Sequence, residues 1–118
     1  MSWCAWMLEM RVREGREDDV RALMKEMVDA TEANEPGTLN YEWSFSGDGR
    51  VCHLYERYAD SDAAMVHCRT FAERFAARFL DVLEPTRFTF YGSPSAEVQA
   101  AAGPMGPVAM RHAYGVTR

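Results

Sequence analysis

Alternating apolar and polar positions mark the first element of the chain. Between residues 3 and 12, the apolar positions of one face recur every second residue: Trp6, Leu8, Met10 and Val12. Glu9 and Arg11 lie between them on the other face. A period of two predicts a β-strand with one apolar side.

The pattern changes to a helical one after this strand. Apolar or weakly polar residues recur at spacings of three and four: Val20, Leu23, Met24, Met27, Val28 and Thr31. This spacing predicts an amphipathic helix, and the acidic run at 17–19 suits its positive N-terminal end. Pro36 disfavours a helical conformation at Glu35 and, with Gly37, suits a type II turn, so the helix is predicted to end near Asn34.

A second alternating stretch follows this turn. Its apolar residues are Leu39, Tyr41, Trp43 and Phe45, with polar residues between them. The pattern predicts a strand over residues 38–46. The Ser-Gly-Asp-Gly run at 46–49 predicts a hairpin into an antiparallel strand over residues 51–59. Both faces of this third strand are mixed, so its orientation stays open.

A four-residue repeat predicts a second helical region over about residues 61–83. Its repeating apolar positions are Phe71, Phe75, Phe79 and Leu83. A break near residues 68–70 would shorten this long helix, and Pro85 ends it. A short strand over residues 87–91 follows.

The resulting order, βαββαβ, predicts a ferredoxin-like α+β fold with a four-stranded antiparallel sheet and two helices on one face. Residues 1–92 supply this domain. Residues 93–118 form a C-terminal extension with a short helix over 95–101 and an extended piece near 108–112. Because the helices cover only one face of the sheet, we expect a homodimer that stacks two sheets face to face. Whether the extension crosses to the partner stays open.

Composition and charge narrow the class of protein. The chain has 118 residues, a net charge of −5 and a single lysine, so it lacks the cationic surface that nucleic acids require. Three cysteines, Cys4, Cys52 and Cys68, include no Cys-x-x-Cys pair. This argues against a disulfide framework and favours reduced thiols in a cytoplasm. The N-terminal apolar stretch is too short to span a membrane and lacks the leading charge of a signal peptide. We expect no nucleic-acid or membrane partner.

No pair of residues is spaced as a metal clamp. Cys52 and His53 point to opposite faces of a strand, and His67 and Cys68 lie about 100° apart on a helix. Gly-rich phosphate loops and Gly-x-Ser-x-Gly elbows are also absent from the sequence. We therefore expect neither a metal nor another cofactor.

Four segments resemble the antibiotic biosynthesis monooxygenase superfamily: EPGTLNYEW, the hairpin after it, VCHLYERYADSDAAMVH and EPTRFTFYGSPSAEV. The resemblance implies a dimeric α+β barrel and relates the chain to quinol monooxygenases, which need no metal or flavin. Tyr58 stands where many relatives have tryptophan after the Glu-Arg pair. The first strand lacks the asparagine that haem-degrading relatives use. These departures favour quinol oxidation over haem degradation.

The candidate site follows from the chemistry of such oxygenases, which deprotonate a phenol in a dry aromatic pocket. His67 matches the helical histidine of the family and is the candidate base, because histidine titrates near neutral pH. Tyr58, at the end of the third strand, is a candidate hydrogen-bond partner for a substrate oxygen. The candidate substrate-binding residues are Trp43, Asn40, Glu42 and Glu56. Glu42 and Glu56 are expected to be neighbours on one face of the sheet.

The expected function is the oxidation of a quinol or an aromatic polyketide-type phenol by O₂. Two alternatives remain open: a non-catalytic barrel that binds a small ligand or regulates another process, and a haem-binding relative. Structural roles for the same residues also remain open. His67 would then have no function, Glu42 and Glu56 would form structural ion pairs, and Trp43 would belong to the core.

Overall fold

The strands and helices follow one another in the predicted order. The computed structural model describes residues 2–118. The chain forms β1 (Cys4–Val12), α1 (Glu17–Asn34), β2 (Thr38–Phe45), β3 (Val51–Tyr58), α2 (Ser61–Thr70), a π-helical turn (Phe71–Phe75), α3 (Ala76–Val82), β4 (Leu83–Gly92), α4 (Ala96–Ala102), a 3₁₀ turn (Gly103–Met105) and β5 (Val108–Ala109). Within the described part of the chain, no helix is long and apolar enough to cross a membrane.

The strands form one sheet in the order β2-β3-β1-β4-β5. The central strand, β1, pairs antiparallel with β3 and β4, and β3 pairs antiparallel with β2. The short β5 adds a parallel pair at the edge of β4. The first four strands therefore have the ferredoxin-like topology, and the predicted α+β fold is confirmed.

The core lies between the sheet and the helices. Trp6, Leu8 and Met10 of β1 are at most 4% exposed, as their alternation predicts. Met27 of α1 and Phe79 of α3 pack over this face and are likewise buried. The helix-facing side of the sheet is thus an apolar floor on which the helices lie.

Pairing with β1 fixes the orientation of β3, which the sequence leaves open. Leu8 lies opposite Leu54, and Trp6 lies opposite Glu56. Directly paired residues share a face, so Leu54, Glu56 and Tyr58 point into the core. All three are at most 3% exposed. The mixed pattern of β3 therefore contains a carboxylate that lies in the core.

One residue predicted to lie in the core, on β2, lies outside it. Thr38 pairs with Tyr58 and Asn40 pairs with Arg57, which leaves Leu39 as an extra residue in a β-bulge. Leu39 is 46% exposed. The prediction that it shares the packed face is wrong, because the bulge shifts the alternation by one residue.

The fourth strand, β4, begins earlier than the pattern predicts. Leu83 starts β4 rather than ending a helix, because Pro85 disfavours a helical conformation at Glu84. A register shift beside Pro85 leaves Thr86 without a partner in β1. Its hydroxyl donates instead to the backbone carbonyl of Glu9 at 3.0 Å. The proline is thereby accommodated within a strand.

A π-helical turn interrupts the second helical region over Phe71–Phe75. It begins immediately after the break predicted near residues 68–70. Such turns are rare and frequently lie beside functional sites. Phe71, its first residue, lines the cavity described below.

The C-terminal segment packs on its own chain. The Ser95 hydroxyl caps α4 by accepting a hydrogen bond from the backbone N–H of Val98 at 3.2 Å, and Val98 is fully buried. Beyond the 3₁₀ turn, β5 lies beside β4, and the N–H of Met110 donates to the carbonyl of Phe90 at 2.8 Å. The segment is thus held against both α2 and the sheet.

Candidate active site

A cavity of about 230 Å³ lies between the sheet and the helices. Its walls are mostly apolar, and the lining side chains include Trp6, Leu8, Met27, Leu54, Phe71, Phe79, Phe88 and Met105. Glu56 and His67 bring charged atoms to the same cavity. An apolar pocket with a few convergent polar groups is the usual form of a small-molecule site.

His67 lies between two buried carboxylates. Its Nδ1 atom is 2.8 Å from Oε1 of Glu35, which follows α1, and its Nε2 atom is 3.1 Å from Oε1 of Glu56 on β3. All three side chains are at most 9% exposed. Carboxylate oxygens accept hydrogen bonds, so a proton on each ring nitrogen satisfies both contacts. The geometry therefore favours an imidazolium.

The charges in this cluster also raise the pKa of His67. Burial by itself lowers that pKa, but the negative charges of Glu56 and Glu35 and their hydrogen bonds outweigh burial and raise it from 6.5 to about 10. His67 is therefore protonated at neutral pH. This is the opposite of the state that a base requires, so the structure favours a fixed cation or proton donor. A catalytic role for His67 stays a prediction.

Tyr58 supports the same carboxylate. Its hydroxyl donates a hydrogen bond to Oε1 of Glu56. Burial, and then the charge of Glu56, raises the pKa of Tyr58 well above its ordinary value near 10, so the hydroxyl remains a donor. Tyr58 does not line the cavity. Its hydroxyl therefore contacts Glu56 rather than the cavity, and its predicted contact with a substrate stays a prediction.

Glu35 is the member of the cluster that the sequence pattern does not predict. It is 5% exposed, and the Thr38 hydroxyl donates to its Oε1 atom at 3.0 Å. A glutamate before a Pro-Gly turn is ordinarily exposed, so the pattern gives no hint of burial. The Glu-Pro-Gly run within the segments that carry the family resemblance is the signal that could have identified it.

Two buried polar atoms lack a hydrogen-bond partner within residues 2–118: the Tyr41 hydroxyl and Nε1 of Trp43. Tyr41 lines the cavity, and its ring centroid is 5.1 Å from that of His67. Trp43 packs edge to face on Phe79, with 6.1 Å between centroids, and lies outside the cavity wall. Burial raises the pKa of Tyr41 well above its ordinary value, and the neighbouring Trp43 indole N–H, a hydrogen-bond donor, opposes this shift, so the Tyr41 hydroxyl keeps its proton.

Asn40 and Glu42 lie on the face of the sheet that is turned away from the cavity. Glu42 pairs with Tyr55, the residue before Glu56, so the two glutamates point to opposite faces. The expectation that they are neighbours is wrong, because it assumed a different register. Asn40 accepts a hydrogen bond from Nε of Arg57 at 2.9 Å. Neither Asn40 nor Glu42 lines the cavity.

All three cysteines are buried or partly buried. Cys68 lines the cavity, and burial, followed by the charge of Glu56, raises its pKa to about 12. Cys4 and Cys52 are fully buried, and all three thiols are free. Across residues 2–118, no three histidine, cysteine or acidic side chains are grouped to hold a metal ion.

The fold and the site define a ferredoxin-like α+β protein with an acid–base cluster at an apolar cavity beneath its helices. Residues 5–72, more than half of the chain, match the model of the antibiotic biosynthesis monooxygenase family. The chain belongs to this family. A search among curated proteins gave no match.

Solved structures share the fold. MupZ from Pseudomonas fluorescens is 24% identical, with a TM-score of 0.82 over 100% of this chain and 96% of MupZ. Rv0793 from Mycobacterium tuberculosis is 25% identical, with a TM-score of 0.68 over 80% of this chain and 97% of Rv0793. A conserved protein from Methanosarcina mazei Go1 is 19% identical, with a TM-score of 0.65 over 77% of this chain and 92% of that protein.

Proposed function

We propose that the protein is a cofactor-independent monooxygenase that oxidises a small quinol or phenol with O₂. The observation that carries the proposal is the Glu56 carboxylate in the wall of the apolar cavity, beside the His67 imidazolium. A proton acceptor and a cation thus adjoin an otherwise apolar pocket. Membership of the family supports this class of reaction.

Glu56 is the proton acceptor of the proposed reaction. Tyr58 and His67 both contact its Oε1 atom, which leaves Oε2 for a substrate hydroxyl. Transfer of the phenolic proton to Glu56 gives a phenolate, which reduces O₂ without metal or flavin. One oxygen atom enters the ring and the other leaves as water, so a quinol and O₂ become a hydroxyquinone and water.

His67 and Tyr41 stabilise the oxygen atoms that carry charge in this reaction. A cation in a water-excluded site stabilises a developing anion more strongly than it would in water. The His67 imidazolium is such a cation, and it is already protonated before substrate binds. The proton of the buried Tyr41 hydroxyl has no acceptor within residues 2–118, so this hydroxyl donates to an oxygen of the substrate or of the reduced O₂.

The size of the cavity suits a substituted benzene ring. A dry protein cavity of about 150 Å³ holds benzene. The cavity of about 230 Å³ therefore accommodates one ring with small substituents. Trp6, Phe71 and Phe88 supply aromatic walls for such a ring.

Oxygen uptake with a panel of alkylated hydroquinones tests this function. We expect Glu56→Gln to lower kcat/KM by a factor of about 10²–10⁴, the usual effect of losing a general base. Glu42→Gln is the matched control, because Glu42 is exposed on the other face of the sheet. Uptake no faster than autoxidation across the panel rejects the function. Equal rates for wild type and Glu56→Gln reject the role of Glu56.

A second candidate function is ligand binding without turnover. It is favoured by the contacts of both His67 ring nitrogens with carboxylates, which leave no free base nitrogen at the cavity and no nitrogen to bind a haem iron. This function predicts saturable binding of hydroquinones in calorimetry without oxygen uptake. The two measurements on one panel separate the candidates.

We also propose that the protein is a cytoplasmic homodimer. Leu39, Val51 and Tyr91 are large apolar residues that remain 41–46% exposed, and Val51 and Tyr91 lie on the face opposite the helices. A second copy would cover that face, and the three free thiols suit a reducing compartment. Sedimentation should give twice the chain mass at micromolar concentration, with an unfolding midpoint that rises with concentration. A monomer with a constant midpoint contradicts the dimer.

A further inference from the structure

We propose that Met105 sets the size limit for the ligand in the cavity, an inference that rests on the proposed function only in taking this cavity as the binding site. The class of ligand is a single aromatic ring with an apolar substituent. The substituent would end against the C-terminal segment. Met105 is then a specificity-determining residue, distinct from the groups proposed to perform the chemistry.

The C-terminal segment supplies one wall of the cavity. Four of its residues line the space: Ala101, Ala102, Pro104 and Met105. The other lining residues belong to the strands β1 to β4 and to the helical elements that precede β4. Met105 has the longest side chain of the four, so it has the largest influence on how much of the cavity this wall leaves free.

The wall is held at both ends. Before it, the backbone N–H of Ser95 donates to the Ser61 hydroxyl at 2.9 Å, and Val98 is fully buried. After it, Gly106 adopts a left-handed conformation with φ of 65°, which favours glycine, and the Met110 N–H bonds to β4. A turn anchored on both sides presents Met105 at a fixed place. The side chain, rather than movement of the loop, should therefore determine the limit.

The wall lies outside the part of the chain that matches the family model. That model covers residues 5–72, which include Glu35, Glu56 and His67. The acid–base cluster therefore lies in the part of the chain that matches the family model, whereas the proposed size limit lies in a segment outside that part.

Binding of n-alkylbenzenes, from toluene to hexylbenzene, tests the inference by calorimetry. These probes lack a hydroxyl, so the result does not depend on oxidation. For wild type we expect affinity to rise about fourfold with each added methylene and then to stop rising at one chain length. Met105→Ala should move that limit to a longer homologue. Met105→Phe should move it to a shorter one.

Met110→Ala is the matched control, because Met110 is 53% exposed and does not line the cavity. In Met110→Ala, affinity should stop rising at the same alkyl chain length as in wild type. If Met105→Ala fails to fold by circular dichroism, Met105→Phe alone still tests the direction of the shift. The inference is overturned if both Met105 variants keep the wild-type limit, if Met110→Ala shifts it equally, or if no alkylbenzene binds. A shifted limit without hydroquinone oxidation supports the inference while rejecting the proposed function.

Discussion

Replacing His67 with leucine should lower the free energy of unfolding by about 3–5 kcal/mol at neutral pH, because it leaves two buried carboxylates without their cation. Glu35 and Glu56 are at most 5% exposed, and each lies within 3.1 Å of a ring nitrogen of His67. Both carboxylates are almost fully removed from bulk solvent, so hydration compensates poorly for the lost ion pairs. Urea denaturation of wild type and His67→Leu at pH 7 measures the difference.

Two further variants show whether charge is the cause. His112→Leu replaces an exposed histidine in the C-terminal segment and should change the stability by less than about 0.5 kcal/mol. Adding Glu35→Gln to His67→Leu should restore part of the loss, since one of the two unpaired charges disappears. A loss below about 1 kcal/mol for His67→Leu would mean that no ion-paired cluster exists in the folded protein.

The fold was predictable where one element has one clear period. In β1 the apolar residues occupy every second position, and Trp6 and Leu8 are buried as that period requires. The four-residue repeat places Phe75 and Phe79 in the core in the same way. These patterns are local, and the burial of one face is their direct consequence.

The errors arise where one residue changes the register. Leu39 fits the alternation of β2, but a single extra residue in the bulge turns it outward. Leu83 fits the helical repeat, but Pro85 makes it the start of a strand. Bulges and helix ends depend on pairing with other strands. The repeat of apolar residues within one element carries no information about that pairing.

The site was predictable only in part, because its chemistry depends on tertiary contacts. The sequence predicts His67 and Glu56 as site residues, and the structure brings them together across α2 and β3. The partnership with Glu35 joins residues 32 positions apart and could not be read from spacing. The protonation state of His67 follows from that partnership. A histidine considered alone suggests a base, whereas one between two carboxylates is a cation.

The stability of the protein should fall as the pH rises from 6.5 to 8.5, with a slope that grows from about 0.7 kcal/mol per pH unit at pH 6.5 to about 1.4 kcal/mol per pH unit above pH 7.5. The pKa of His67 is about 10 in the folded protein against an ordinary value of 6.5. Between these values the folded chain holds one proton more than the unfolded chain. The stabilisation is therefore complete below pH 6.5 and is lost as the pH rises through about 10. Urea denaturation at half-unit steps measures the slope.

The buried thiols set the upper limit of the pH range in which His67 alone determines how stability changes with pH. Burial is the largest cause that raises the pKa of Cys4 to about 11 and the pKa values of Cys52 and Cys68 to about 12, from 9.0. The unfolded chain releases these protons from about pH 9 upward while the folded chain keeps them. The thiols therefore steepen the fall in stability above pH 9. Below pH 8.5 their contribution is small, and His67 dominates the slope.

His67→Leu should remove the slope between pH 6.5 and 8.5, since the titrating group is gone. His112→Gln should keep it. The stability difference between wild type and His67→Leu should also shrink towards pH 10, because wild type then holds a neutral imidazole beside the same two carboxylates. His67→Leu already has two carboxylates without a cation at neutral pH. A slope that persists in His67→Leu would assign the proton to another group and contradict the imidazolium at this site.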